Sequence, residues 1–510
     1  MNIARVFLVA LGLAALSEPV WSEGSVGEVS GGRIQGTLEG SLVVYKGVPF
    51  AAPPVGNLRW RDPQPVSPWT GVRAATTFSR ACTQPITPYM PPGQTPGEDC
   101  LYLNVWAPAK TPASPLPVMV WIHGGAFTTG GAAAPFFDGT RFAHRGVVLV
   151  SINYRLGALG FLAHRALSKE AGTPSGNFGL EDQIAALHWV HENIARLGGD
   201  PRRVTIFGQS AGAGSVSMLA ASPLARGLFH RVIAESGSSF EPPKANGVMA
   251  SNLDSAERQG TAALAEVGAA DIAAARALPA EKFVGLKTMF RPVRDGRLLP
   301  EDQYALYARN GQNDTPALIG YNSADAVMRP GSPAEFESQI RAAYGTAADA
   351  ILNAYPHASD EEKRRAALQV SRDSGFGWNT LTWARVQSTH SKNKIYTYFF
   401  DQVAPKDSIF FSPDGTVHTG EIPYVFGALD APPASYTEED RKLSEQVQQY
   451  WVNFARTGDP NAPGLPQWPA FSNASPRSMY FHGAPQAVSM PNLRQLEAFD
   501  VYYQGLRAKQ

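Results

Sequence analysis

One stretch limits this chain more than any other: Val204-Thr-Ile-Phe-Gly-Gln-Ser-Ala-Gly-Ala-Gly-Ser. An apolar β-type run meets a small-residue helical run, and Ser210 stands at the junction inside Gly208-Gln209-Ser210-Ala211-Gly212. A nucleophile on so tight a strand-to-helix turn has strained backbone angles. Glycines two before and two after it remove side chains that would collide there. A helix starting at Ala211 also favours negative charge at its first turn. G-x-S-x-G alone is a weak signal; with a strand before it and a helix after it, it reads as a nucleophile elbow.

Such an elbow needs a sheet around it, and the chain supplies one. Val118 to Ile122, Val147 to Ile152, Val204 to Phe207, Val232 to Ala234, Ala317 to Gly320 and Tyr396 to Phe400 are short, largely apolar runs. They do not alternate, as expected of strands covered on both faces. Between them lie helical patterns. From Leu180 the apolar positions Ile184, Leu187, Val190, Ile194 and Leu197 follow a 3.6-residue period. Thr437 and Asp440 form a cap for a helix carrying Leu443, Val447, Trp451 and Phe454 and stopping near Gly458. The reading is an α/β fold with a mostly parallel sheet covered by helices. Residues 240–315 and 330–390 are richer in helical pattern and read as insertions over one end of the sheet. No linker divides the chain, so residues 23–510 are expected to form a single domain.

Of 510 residues, 44% are apolar and 17% charged, which suits a large core. The 44 basic and 44 acidic residues cancel, so nothing favours nucleic acid or an anionic membrane as a partner. The N-terminus reads as a secretory signal, residues 1–22. Arg5 gives a positive start, Val6 to Leu16 an apolar stretch of about 11 residues, and Val20 and Ser22 the small residues before a cleavage. The expectation is a secreted or periplasmic protein without stable membrane insertion after cleavage. Cys82 and Cys100 are the two cysteines, and in an exported protein an even count suggests a disulfide.

A serine nucleophile needs a base, an acid to orient the base, and donors for the oxyanion. Trp121-Ile-His123-Gly124-Gly125-Ala126-Phe127 follows an apolar strand, and its small residues let backbone N–H groups approach a developing oxyanion. After an elbow of this type the acid comes next in the chain and the histidine last. Of His230, His357, His390 and His418, the last sits in Val417-His-Thr-Gly-Glu-Ile-Pro-Tyr-Val-Phe-Gly, a loop entering an apolar segment, and best suits the base. Asp325, just past the strand-like Ala317-Leu-Ile-Gly, best suits the acid. Glu301, Asp302, Asp314 and Glu421 are the alternatives.

Further motifs carry a resemblance. They are Gly47-Val-Pro-Phe-Ala-Ala-Pro-Pro-Val-Gly-Asn-Leu-Arg-Trp, Glu98-Asp-Cys-Leu-Tyr-Leu-Asn-Val, Asn177-Phe-Gly-Leu-Glu-Asp-Gln, Gly198-Gly-Asp-Pro and Thr457-Gly-Asp-Pro-Asn. With the elbow they make the chain resemble the type-B carboxylesterase family, which includes cholinesterases and bacterial para-nitrobenzyl esterases. The resemblance covers nearly all of residues 23–510. It implies an α/β-hydrolase fold with helical insertions over an active-site gorge and a Ser-Glu-His triad, with Ser210 the nucleophile and His418 the base by motif, and no cofactor or metal is expected. It implies a disulfide at the cysteine of the E-D-C motif, Cys100. It also implies oxyanion donors at Gly125, Ala126 and Ala211.

Three positions depart from the family pattern. Asn322-Ser-Ala-Asp-Ala stands where N-x-D-E-G is usual, so the acid position is Asp325, one methylene shorter than glutamate. Gln209 stands where a glutamate usually precedes the serine. The Cys82-to-Cys100 loop contains no tryptophan, so a choline-binding tryptophan has no counterpart there. The implied activity is that of an exported, monomeric serine esterase acting on small neutral carboxylic esters. Phe127, Phe376 and Trp378 are the aromatic candidates to line its substrate pocket. Amides and carbamates remain open to the same triad. A non-catalytic binding role, as in adhesion members lacking the serine, is disfavoured by the presence of Ser210 and His418.

Overall fold

The computed structural model describes residues 25–87, 90–91, 93–242, 252–326, 331–430 and 434–509. The signal segment at 1–22 lies outside the described residues.

The apolar runs form the middle of one sheet, which among the described residues has eleven strands. Arg477–Phe481, Ile395–Phe400, Ala317–Asn322, Arg231–Glu235, Gly199–Gln209, Leu116–Ile122 and Val148–Ile152 lie side by side in that order, all parallel. Antiparallel strands finish both edges: Gln486–Ser489 on one side, and Tyr102–Pro108, Leu42–Pro49 and Thr37–Glu39 on the other. A separate small sheet joins Val26–Val29, Gly32–Gln35 and Val72–Ala74.

Every residue of Val148–Ile152, Ala317–Asn322 and Ile395–Phe400 is buried, because helices cover both faces of the sheet. Alternate side chains of Leu116–Ile122 feed two cores. Val118, Val120 and Ile122 join Val204 and Ile206 beside helix Phe178–Asn193. Met119 and Trp121 join Phe207 beside Val447, Trp451 and Phe454 of helix Glu438–Thr457. That second helix opens on the expected capping box of Thr437 and Asp440 and stops at Gly458, whose φ is 81°. The two insertions are helical as expected, with Leu253–Glu266, Ile272–Ala277 and Gln303–Ala308 in the first. The second holds Phe336–Tyr344, Ala348–Leu352, Asp360–Arg372 and Trp378–His390. No helix among the described residues is long and apolar enough to cross a membrane.

Candidate active site

Ser210 stands between strand Gly199–Gln209 and helix Ala211–Ala221 with a positive φ of 59°. Its N–H donates to the Glu235 carbonyl on the neighbouring strand, 2.8 Å away. The two motif glycines are sterically required. A Cβ on Gly208 would lie 2.6 Å from the Ile122 oxygen, and one on Gly212 would lie 2.0 Å from the same atom. The strain at Ser210 is thus held by close backbone packing on both sides.

His418 comes from the loop that enters helix Ile422–Phe426. Its Nε2 lies 2.8 Å from Ser210 Oγ, and its Nδ1 lies 2.6 Å from Asp325 Oδ1. The tautomer that satisfies both contacts carries its proton on Nδ1 and accepts from the serine hydroxyl at Nε2. Asp325 is fully buried, and its Oδ2 accepts the Asn322 N–H at 2.9 Å. Burial works against a charged imidazole. The Asp325 charge, the Asp325 hydrogen bond and the Glu421 charge more than offset this, so the His418 pKa stands above its usual 6.5.

The other acids considered lie elsewhere. Asp302 caps helix Gln303–Ala308, Glu301 pairs with Arg309, and Asp314 accepts the Ser391 hydroxyl. Glu421 accepts the Asn322 side-chain amide instead of touching the histidine. Burial, then the charges of Glu235 and Asp325, push its carboxyl up to about 8. Among the other histidines, His357 bonds the Tyr355 carbonyl, His230 accepts the Val204 N–H, and His390 ends an exposed helix terminus.

Gly125, Ala126 and Phe127 all have positive φ, at 111°, 55° and 62°. The Gly125 carbonyl turns back to accept from the Thr128 and Thr129 N–H groups. Gly125 and Ala126 border the same cavity as Ser210 and His418. Ala211 is the first residue of its helix, where an N–H has no intrahelical acceptor. His123 is a brace rather than a base. Its Nδ1–H donates to the Gly124 carbonyl at 2.8 Å, and its ring stacks on Tyr154. Burial lowers its pKa to about 4, which keeps it neutral. From the disulfide loop, Gln84 bonds both the N–H and the carbonyl of Gly130, at 2.7 and 2.6 Å. Cys82 and Cys100 form that loop's disulfide.

The cavity above Ser210 holds about 440 Å³. Phe136, Phe137, Phe410 and Ile422 give it an apolar wall, and Gln209 lines its base. The described lining residues include no aspartate, glutamate, lysine or arginine. The Gln209 amide nitrogen lies 3.4 and 3.5 Å from the two ring nitrogens of His418.

The expected pocket aromatics need correction. Phe127 is fully buried and packs edge-on against Phe161, because the run of positive φ turns its side chain into the core. Trp378 is buried against helix Asp500–Arg507, donating to Asp500 and stacking on Tyr503. None of the three expected aromatics, Phe376 included, is among the lining residues. Phe376 does reach the site: its ring stacks on His418 with 5.0 Å between centroids and 14° between planes. The lining aromatics missed in the sequence are Phe136, Phe137 and Phe410. Their signal was available as the adjacent aromatic pairs Phe136-Phe137 and Phe410-Phe411.

A sequence profile of the carboxylesterase family matches residues 22–499. The para-nitrobenzyl esterase of Bacillus subtilis (strain 168) is 36% identical over 471 residues, covering 86% of this chain and 91% of the relative. The fumonisin B1 esterase of Sphingopyxis macrogoltabida is 33% identical over 463 residues, covering 86% of this chain and 83% of the relative. A solved PNB esterase structure matches with a TM-score of 0.81 at 31% identity, over 93% of this chain and 99% of that one. The chain therefore belongs to the carboxylesterase family, with its α/β-hydrolase fold, and is a carboxylic-ester hydrolase.

Proposed function

We propose that the chain hydrolyses neutral carboxylic esters through an acyl-enzyme on Ser210, as an exported protein. The observation that carries this reading is the unbroken line from Asp325 Oδ1 through the His418 ring to Ser210 Oγ, at 2.6 and 2.8 Å, at the base of a cavity whose described lining residues include no carboxylate, ammonium or guanidinium group. His418 takes the serine proton as Oγ attacks the ester carbonyl. Asp325 holds the imidazole in the required tautomer and offsets its positive charge. The N–H groups of Gly125, Ala126 and Ala211 receive the oxyanion; losing one such donor typically costs about 10²- to 10³-fold in kcat. His418 then returns the proton to the departing alcohol, and water repeats the sequence on the acyl-enzyme.

The apolar wall of Phe136, Phe137 and Phe410 suits an uncharged aromatic or alkyl group. The name of the Bacillus subtilis relative specifies an uncharged aromatic alcohol, para-nitrobenzyl. Export is supported by the signal-like residues 1–22 and by a disulfide, which persists in oxidising compartments. Enzyme should be recovered outside the cytosol with an N-terminus near residue 23; enzyme retained in the cytosol with an intact Met1 would refute export.

Ser210→Ala tests the nucleophile. With a para-nitrobenzyl ester as substrate, the folded variant should fall below about one-thousandth of wild-type turnover. Activity above that level would remove Ser210 from the mechanism.

A further inference from the structure

We propose that Arg372 is a positioning residue for the catalytic pair: its buried guanidinium holds both the loop carrying Asp325 and the turn that lays Phe376 on His418. The inference rests on the serine triad proposed above.

Arg372 closes helix Asp360–Arg372 and is 4% exposed. Its Nε and Nη2 donate to the Asp373 carboxylate at 2.7 and 3.0 Å, and its Nη1 donates to the Ser323 carbonyl at 2.7 Å. Asp373 is fully buried and accepts a further hydrogen bond from the Tyr355 hydroxyl at 2.8 Å. Replacing a buried ion pair by apolar groups is often neutral for stability, so this pair is not explained by stability alone. It fixes a geometry.

On one side the guanidinium grips Ser323, two residues before Asp325. That loop is stitched to the histidine loop. Thr416 N–H donates to Ser323 Oγ, Ala324 N–H to the Thr416 carbonyl, and the Asn322 amide to the Val417 carbonyl, each at 2.9 Å. Arg372 therefore anchors a joined unit that carries both Asp325 and His418. On the other side the helix widens after Arg372 into one π-helical turn, Asp373–Gly377. Such turns are rare and occur frequently at functional sites. Here Phe376 comes to lie flat on the imidazole. The end of the turn is closely packed: a Cβ on Gly377 would lie 2.5 Å from Leu496 Cδ2 and 3.2 Å from Asp373 Oδ1.

The clamp matters because the acid is short. An aspartate reaches about 1.5 Å less than a glutamate, one carbon–carbon bond. Its loop must stand closer to the histidine, and a misplacement of about 1 Å can cost about 10²-fold in rate.

The test uses the full-length enzyme. Arg372→Met combined with Asp373→Asn removes both buried charges together, so neither is left unpaired. We expect a folded enzyme with kcat lowered by about 10²-fold and KM within a few-fold of wild type. Adding Asp325→Glu to that variant should restore at least about tenfold of the loss, because the longer side chain spans the relaxed gap. The same substitution in the wild-type background should bring no gain. If the double variant does not fold, Arg372→Lys keeps a cation beside Asp373 without the forked reach to Ser323, and the same loss and rescue are expected. A folded variant within threefold of wild-type kcat, or a loss that Asp325→Glu leaves untouched, overturns the inference. Ser210→Ala is run alongside. If it still turns over, the triad reading itself has failed; if it is inactive while the Arg372 variants are unimpaired, only this inference has.

Discussion

Asp325 and Glu421 are held by the same residue, and only one of them touches the histidine. The Asn322 backbone N–H donates to Asp325, and its side-chain amide donates to Glu421. Asp325 goes on to meet His418 Nδ1 at 2.6 Å. Asp325→Asn should therefore lower turnover by about 10³- to 10⁴-fold in a folded enzyme, since an amide favours the wrong imidazole tautomer. Glu421→Gln should stay within about tenfold of wild type under identical conditions. A crippled Glu421 variant beside a near-normal Asp325 variant would reverse the assignment.

The pH profile of kcat/KM should carry the same signature. The base works only when His418 is unprotonated, so the rate falls as pH drops through its pKa. Burial lowers that pKa, but the Asp325 charge and hydrogen bond, with the Glu421 charge, raise it to a final position above 6.5. The acid limb should thus have its midpoint above 6.5. In the residual activity of Asp325→Asn, where the carboxylate charge is gone, the midpoint should move to lower pH. A wild-type midpoint below 6.5, or no movement in the variant, would contradict the arrangement.

Much of this site was legible because the elbow and the strands are local signals. Val204 to Phe207, the motif glycines and Ser210 each announce their structure within a few residues. The run after Ala317 located the acid, since a triad residue sits just beyond a strand end. The edge strands Leu42–Pro49 and Tyr102–Pro108 were not read, because Lys46 and Gly47 interrupt one and Asn104 the other. The first is also irregular in register between Tyr45 and Val48. None of the three expected aromatics lines the cavity, for a different reason. A bulky residue near a motif can face either way, and for Phe127 the positive φ that decides this is not visible in the sequence. Trp378 was drawn into the core by the C-terminal helix, 122 positions away in the chain. Likewise, nothing local reveals that Gln209 would approach the His418 ring.

That approach carries a prediction about substrate charge. Gln209 is buried at the cavity base, 3.4 Å from His418 Nε2, and brings no charge. A carboxylate there would attract a cationic substrate, and a charge pair at about 4 Å is worth roughly 1 to 4 kcal/mol depending on solvent access. Wild type should prefer an uncharged ester over a choline ester of the same shape. Gln209→Glu should shift the ratio of specificity constants toward the choline ester by about tenfold or more. The comparison belongs at pH values where His418 is unprotonated in both enzymes, because the new carboxylate would also raise its pKa. A wild-type preference for the choline ester would overturn the neutral-substrate reading.

The last prediction concerns stability, and it comes from the acids behind the triad. Glu421 is fully buried, and burial followed by the charges of Glu235 and Asp325 pushes its carboxyl from 4.5 up to about 8. Glu235 is also pushed up to about 8, by burial, although the Trp451 indole N–H donates to it and partly opposes the shift. A raised carboxyl pKa means that the folded chain holds a proton the unfolded chain releases. The associated stability is therefore complete below about pH 4.5. It declines as pH rises and is lost by about pH 8. Glu421→Gln takes one such group out of the titration while keeping an oxygen to accept from Asn322. The unfolding temperature of the variant, relative to wild type at a fixed scan rate, should rise steadily from pH 5 to pH 8 and level off above that. The gain should be a few degrees at the alkaline end, given that each pKa unit is worth about 1.4 kcal/mol. A difference that stays flat across this range would mean that Glu421 is already ionised in the folded enzyme. The proton would then have to sit on Glu235 or on Tyr398, whose hydroxyl burial first, and then the charges of Glu235, Glu421 and Asp325, hold far above its usual 10.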